Sequence, residues 1–231
     1  MSDLSSLLAV TIPLSWAAAV SPVTFSIFLV IMSMAKKPKL AGFSFYLGAI
    51  VVLLVTVFMG IFLGQKLSSS GLTDPATMTA IDLFLGAVLI LLGIRNFAAK
   101  GDNKGGNMLK HLQIDENAGT FRQFFKYFII GIVAFIMNFS TAIFVLGVGR
   151  SIGVANSGLS NDTIAVIILI LIALLIIEVP LLFFVILPEK AHAVLGPVDK
   201  WINNHGNIVT GLFCIFIGIF VIYSGLQKLG I

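Results

Sequence analysis

Six apolar stretches, at residues 5–34, 41–63, 75–97, 124–148, 163–187 and 208–229, alternate along the chain with polar connections. Each is long enough to cross a hydrocarbon core of about 30 Å, which takes about 20 helical residues. Backbone in lipid must satisfy its own hydrogen bonds, so runs of this length predict helices. The pattern therefore predicts an all-α polytopic membrane protein with six transmembrane helices.

Polar groups and prolines interrupt the pattern in places that shape the helices. The first stretch carries Pro13 and Pro22. Proline lacks the backbone donor and clashes with the preceding turn, so Ser21-Pro22 predicts a kink or break about halfway down. Gly60 and Gly64 have the small-xxx-small spacing that lets helices approach closely. Asp74-Pro75 reads as an N-cap followed by proline at the first helical position. Ser160-Asn161-Asp162 is placed to cap the fifth helix, and Trp201 with Asn203, Asn204 and His205 reads as an interfacial segment before the sixth.

An internal repeat is visible in the spacing. Phe84-Leu-Gly86 with Gly93 in the third stretch matches Phe216-Ile-Gly218 with Gly225 in the sixth. Ser21 and Thr24 in the first correspond to Asn138 and Thr141 in the fourth, each pair three residues apart and so on one helical face. Three helices per half force the second copy to insert upside down, giving two inverted three-helix repeats at 1–97 and 123–231. Residues 98–122, polar and rich in glycine and asparagine, read as the linker between them.

Composition agrees: 58% of residues are hydrophobic and 10% charged, against roughly 25% charged in soluble domains. The first stretch is too long for a signal-peptide core and has no basic region before it, so it reads as a retained helix. Charge adds orientation. Of the fourteen lysines and arginines, eleven fall on the side of the odd-numbered connections, and only Lys66, Arg150 and Lys228 on the other. The excess places the odd connections in the cytoplasm and both termini outside the cell membrane. Since insertion alone explains this bias, it does not point to nucleic acid. The single cysteine, Cys214, excludes an intramembrane dithiol relay within one chain.

Few side chains remain that could carry chemistry. Glu178 is the one ionisable group that the six-span reading buries deep in the membrane. An intramembrane carboxylate is costly and must face the bundle interior or a wet cavity. Taking up and releasing a proton there would make it a coupling site; donating one hydrogen bond to a neighbouring helix, or to a carbonyl freed by Pro180, would make it structural. Ser21, Asn138 and Glu178 are expected near one plane at mid-membrane. Asp82, about 10 Å into the third helix by its rise, either favours the positive end of its helix or serves an outer vestibule as a second proton-coupling group. Ser21, Pro22, Thr24, Asn138 and Thr141 could offer hydroxyls, amides and carbonyls to a substrate, or act as interhelical glue. The three histidines are too dispersed for a metal site, and no phosphate-binding loop or nucleophile with a matching base is present. No cofactor and no enzymatic activity is expected.

Ala19-Val-Ser21-Pro22, Ala41-Gly-Phe-Ser-Phe-Tyr-Leu-Gly48, Asp82-Leu-Phe-Leu-Gly86, Val179-Pro180, Leu187-Pro-Glu-Lys190 and Trp201-Ile-Asn-Asn204 together resemble the GAP or Sap-like family. These are the glycolipid- and sulfolipid-addressing proteins of the lysine-exporter (LysE) superfamily. The resemblance implies six helices in two inverted halves, export of small solutes across the superfamily, and movement or assembly of envelope lipids in the family. Ser21, Pro22 and Asn138 match its helix-one and helix-four motifs, but Phe139 and Ser140 stand where the family has proline and a basic residue. The leading expectation is a secondary transporter, an exporter of a small solute or amphiphile in contact with membrane lipids. A non-transporting partner of lipid assembly, docking through the 98–120 loop, and a lipid flippase with a phenylalanine-lined groove are the alternatives. A homo-oligomer is left open.

Overall fold

A computed structural model describes residues 4–70, 74–98 and 119–227. Most of the expected linker, with His111, lies outside the described residues, as does Lys228. The described residues are almost entirely helical, with no strand among them. Eight helices follow one another: α1 (Leu4–Ala19), α2 (Pro22–Met34), α3 (Pro38–Ser69), α4 (Pro75–Ala98), α5 (Thr120–Ile136), α6 (Phe139–Ala155), α7 (Leu159–Ile186) and α8 (Pro188–Gln227). Four of them, α3, α4, α7 and the 204–227 part of α8, are each long and apolar enough to cross a membrane. The pairs α1 with α2 and α5 with α6 reach that length only together, bent by 54° and 77°. Counting each bent pair as one span gives six.

The first break falls where Ser21-Pro22 predicts it, whereas Pro13 sits inside a continuous α1. The second, at Met137-Asn138, lies in a stretch that reads as one uninterrupted helix from hydropathy alone. Two other helix boundaries differ from expectation. Helix α7 begins one residue before Ser160, behind Gly158 at φ 97°, so Ser160, Asn161 and Asp162 form its first turn rather than its cap. Asn156, at φ 42°, closes α6 in the left-handed conformation that asparagine tolerates. The Trp201 region is part of a 40-residue α8 instead of a separate segment. A helix satisfies its own backbone polar groups as the chain approaches lipid.

Glycines set how the spans pack. Gly48 abuts the backbone of Phe128, Gly60 that of Leu146 and Gly149, and Gly64 that of Arg150 and Gly153. Residue numbers on both sides rise together, so the α5–α6 pair follows α3 in the same sense, with α6 running parallel to it. The Gly60-xxx-Gly64 spacing meets a second one, Gly149-xxx-Gly153, and the backbones touch because neither side has a Cβ. In α4, Gly86 abuts Gly218 and Gly93 abuts Gly211 of α8, while Thr79 Oγ1 donates to Gly225 O at 2.7 Å. Here one number rises as the other falls, so these helices are antiparallel. Of the repeat glycines, Gly86 and Gly218 face one another at the contact of the third and last spans, while Gly93 meets Gly211 and Gly225 meets Thr79 and Asp82. The core around Phe28, Phe45, Phe144, Leu174 and Ile177 joins α2, α3, α6 and α7.

Candidate functional site at two helix breaks

Each break has a physical cause and leaves backbone groups to be satisfied. After Ala19 the chain turns extended at Ser21 (φ −134°, ψ 94°), and α2 restarts with Pro22 at its first positions. Ser21 caps it, its Oγ accepting from Thr24 N at 3.4 Å. The second break repeats this chemistry: Asn138 caps α6, its Oδ1 accepting from Thr141 N at 3.4 Å. A capping side chain three residues before the amide it holds is the usual solution for orphan donors at a helix start.

The two caps bond each other. Asn138 Nδ2 donates to Ser21 Oγ at 2.6 Å and to Thr24 Oγ1 at 3.3 Å, and Ser21 Oγ donates to Thr24 Oγ1 at 2.8 Å. Thr141 Oγ1 donates to Ala18 O at 2.8 Å, filling one of the carbonyls left open at the end of α1. Ser21, Thr24 and Thr141 are buried and Asn138 half-buried. Four of the residues singled out in the sequence therefore form one hydrogen-bonded cluster between residues 117 positions apart.

Direction matters as much as contact. The three-residue link at 35–37 turns α2 back into α3, and α6 runs parallel to α3, so α2 and α6 leave the cluster in opposite senses. Both helix N-termini, the ends of positive partial charge, therefore converge on it. Hydroxyls, a carboxamide and two positive helix ends make a polar centre suited to a polar or anionic group in an otherwise apolar bundle.

The other two candidates stand apart from the cluster. Glu178 Oε1 accepts from Tyr46 Oη at 2.8 Å, both side chains half-buried. Phe45, beside that tyrosine, packs on Phe28 with ring centroids 5.4 Å apart. Glu178 thus bonds a side chain of α3, and its hydrogen bond goes to Tyr46 and not to a member of the cluster. Asp82 Oδ1 accepts from Arg150 Nη2 at 2.5 Å, with the two side chains only 7% and 12% exposed. Arg150 lies inside α6, not in a loop.

Sequence reasoning missed Tyr46 and Arg150. Tyr46 lay within a quoted motif, but nothing in the spacing aligned it with a carboxylate 132 residues away. Arg150 could have been found: the Gly149-xxx-Gly153 spacing continues the helix past 148, and an acid as deep as Asp82 calls for a base.

Fold and site together define a polytopic all-α membrane protein whose polar centre is built from two interrupted spans. Residues 11–227 match the family described as Sap, sulfolipid-1-addressing protein, and the chain belongs to that family. No curated protein and no solved structure matches the chain.

Proposed function

We propose that this protein is a secondary transporter that moves an envelope lipid or a related small amphiphile across the cytoplasmic membrane. The observation that carries this reading is the meeting of two broken helices in one hydrogen-bonded cluster of Ser21, Thr24, Asn138 and Thr141. Interrupted spans expose backbone and capping groups, a feature that transporters use to hold substrate at mid-membrane. The family's description names a sulfolipid, which favours an amphiphilic substrate over a free amino acid or cation.

Two halves related by inversion fit this role. Exchanging spans one to three with four to six turns the contact of the second and fourth spans into that of the fifth and first, and α7 does pack on α1. The contact of α4 with α8 maps onto itself. Rocking one half against the other about the Ser21 and Asn138 contact would open the cluster to each side in turn. Glu178 is the proton-linked group in this scheme: the Tyr46 hydroxyl holds its carboxylate, and protonation weakens that hold and shifts the balance of states.

The test is lipid movement in proteoliposomes, measured as a function of pH. Wild-type protein should move a labelled sulfated lipid with a rate that depends on pH, and Glu178→Gln should remove the dependence. A variant with unchanged rate and unchanged pH profile would overturn the coupling role.

A further inference from the structure

The Asp82 and Tyr46 bonds stand at opposite ends of the bundle. Arg150, held by Asp82, lies on α6 where Gly64 of α3 abuts its backbone. Tyr46, bonded to Glu178, lies on the same α3 about 27 Å earlier by helical rise. The Ser21 and Asn138 cluster falls between these levels, since Thr141 is about 14 Å before Arg150 along α6.

The bundle is filled differently on the two sides of that cluster. Toward Tyr46 and Glu178, the rings of Phe28 and Phe45 pack against each other and are fully buried. Toward Asp82 and Arg150, a cavity of about 150 Å³ lies among α1, α4, α6 and α8. It runs from Phe144, one turn past Thr141, and from Leu89 to the Asp82 and Arg150 side chains. Both of these are nearly buried, and their bond ties α4 to α6 at the cavity's polar end, on the side where α3 turns into α4.

The two ends also differ in chemistry. The register that matches Gly86 to Gly218 and Ser21 to Asn138 sets Cys214 in the place of Asp82 and Ser33 in that of Arg150. The ion pair thus has no charged counterpart at the inverted positions. A buried ion pair adds little stability over apolar residues of similar volume, and its best attested use is to select between arrangements. Ionisable pairs inside a membrane bundle characteristically border solute or ion pathways.

We propose that the Asp82 and Arg150 pair is a gate. It holds α4 to α6 across the end of the cavity, and its separation admits water and solute from the face that carries the connection of α3 to α4. The layer around Phe28 and Phe45 keeps the opposite side shut in this conformation. The gate rests on the transporter reading for its purpose, while its opening is measurable without any flux.

Thiol accessibility in nanodiscs measures that opening. In a Cys214→Ala background, Leu89→Cys puts a thiol at the inner end of the cavity, two turns inward of Asp82. Ile31→Cys puts one in the packed core on the other side of the cluster. With the native pair, a trimethylammonium methanethiosulfonate should modify both slowly. Asp82→Asn with Arg150→Gln nearly keeps the volumes and trades a charge-assisted bond for a neutral one, so Leu89→Cys should react about tenfold faster while Ile31→Cys does not change. A rate at Leu89→Cys that the double substitution leaves unchanged would overturn the gate. Equal acceleration at Ile31→Cys would show general loosening and overturn it too. Should the double variant not fold, Arg150→Lys keeps the charge and gives up the guanidinium fork; it should also speed the reaction at Leu89→Cys, and an unchanged rate would again overturn the gate.

Flux separates the gate from the transport it serves. Asp82→Cys with Arg150→Cys, bridged by a short bis-methanethiosulfonate, should lose lipid exchange, and reduction should restore it. Exchange that continues in the bridged protein would overturn the gate. Wild-type protein without exchange would instead overturn transport, and the Leu89→Cys rates would still decide the gate.

Discussion

Asn138 shows how much one side chain does at a helix break. Its Oδ1 caps α6 while its Nδ2 bonds Ser21 and Thr24 across the interface. Asn138→Ala removes both functions, and the expected loss is about 1–2 kcal/mol of stability by unfolding in detergent. Asn138→Asp keeps the cap acceptor and loses the donors, so it should fall between alanine and wild type. Arg150 is more demanding. Truncation to alanine takes the base from beside the buried Asp82 carboxylate, which should cost about 3–5 kcal/mol, and Asp82→Asn with Arg150→Gln should recover much of that.

The same scale shows what was legible in the sequence. Ser21, Thr24, Asn138 and Thr141 stand out because polar residues three apart in an apolar stretch have few roles, and capping is one of them. Their mutual bonding was not visible, since helix spacing says nothing about which spans cross. Glu178 was found by its cost in lipid, yet its partner Tyr46 was not, because a tyrosine in a membrane helix needs no special explanation.

At the scale of the element, hydropathy sees apolar length but not continuity. Proline marks the first break, and residues 124–148 contain none to mark the second. Asparagine restarts the helix there, the Asn138 Oδ1 accepting from the Thr141 N–H of the next turn. Glycine pairs predict their own consequences. At Gly149 an added Cβ would collide with the backbone of Val57 and Gly60, so Gly149→Ala should force α3 and α6 apart at about 1–3 kcal/mol. Gly147→Ala, on the same helix with nothing nearby, should be neutral or stabilising by about 0.5–1 kcal/mol in the same unfolding assay.

The start of α4 carries a pH dependence. Hydrogen bonds from Thr77, including its backbone N–H at 3.0 Å to Oδ2, hold the exposed Asp74 carboxyl below its ordinary range. A depressed value in the folded state means the cap stabilises at pH above the unfolded value and is lost as pH falls through the folded one. Hydrogen exchange at Thr77 should therefore speed up, relative to intrinsic exchange, on acidification below about pH 4. Asp74→Asn should lack that acid-dependent step.

At the scale of the whole molecule, counting each bent pair as one span would put the start of α1, the connection from α3 to α4 and the end of α8 on one face of the membrane. The charge bias predicts that this face is external, so tags at either terminus should be accessible to protease added outside intact cells. Accessibility only after lysis would reverse the orientation. The family match and the helical architecture agree with the resemblance read from short motifs. Ser21-Pro22, Gly48, Gly86 and Leu187-Pro188 of those motifs lie at a break, at close contacts and at a helix start, where geometry restricts residue choice most, whereas Val179-Pro180 and the Trp201 stretch lie inside helices.

The central claim is that the crossing of the two broken spans carries a lipid between leaflets. It is tested most directly by reconstituting wild-type protein and Asn138→Ala with a headgroup-labelled sulfated lipid and following the label's loss of protection from a membrane-impermeant quencher. Exchange well above that of protein-free vesicles is expected for wild type, and a rate near that of empty vesicles for the folded variant. Exchange in wild-type vesicles no faster than in empty ones, or undiminished in Asn138→Ala, would contradict it.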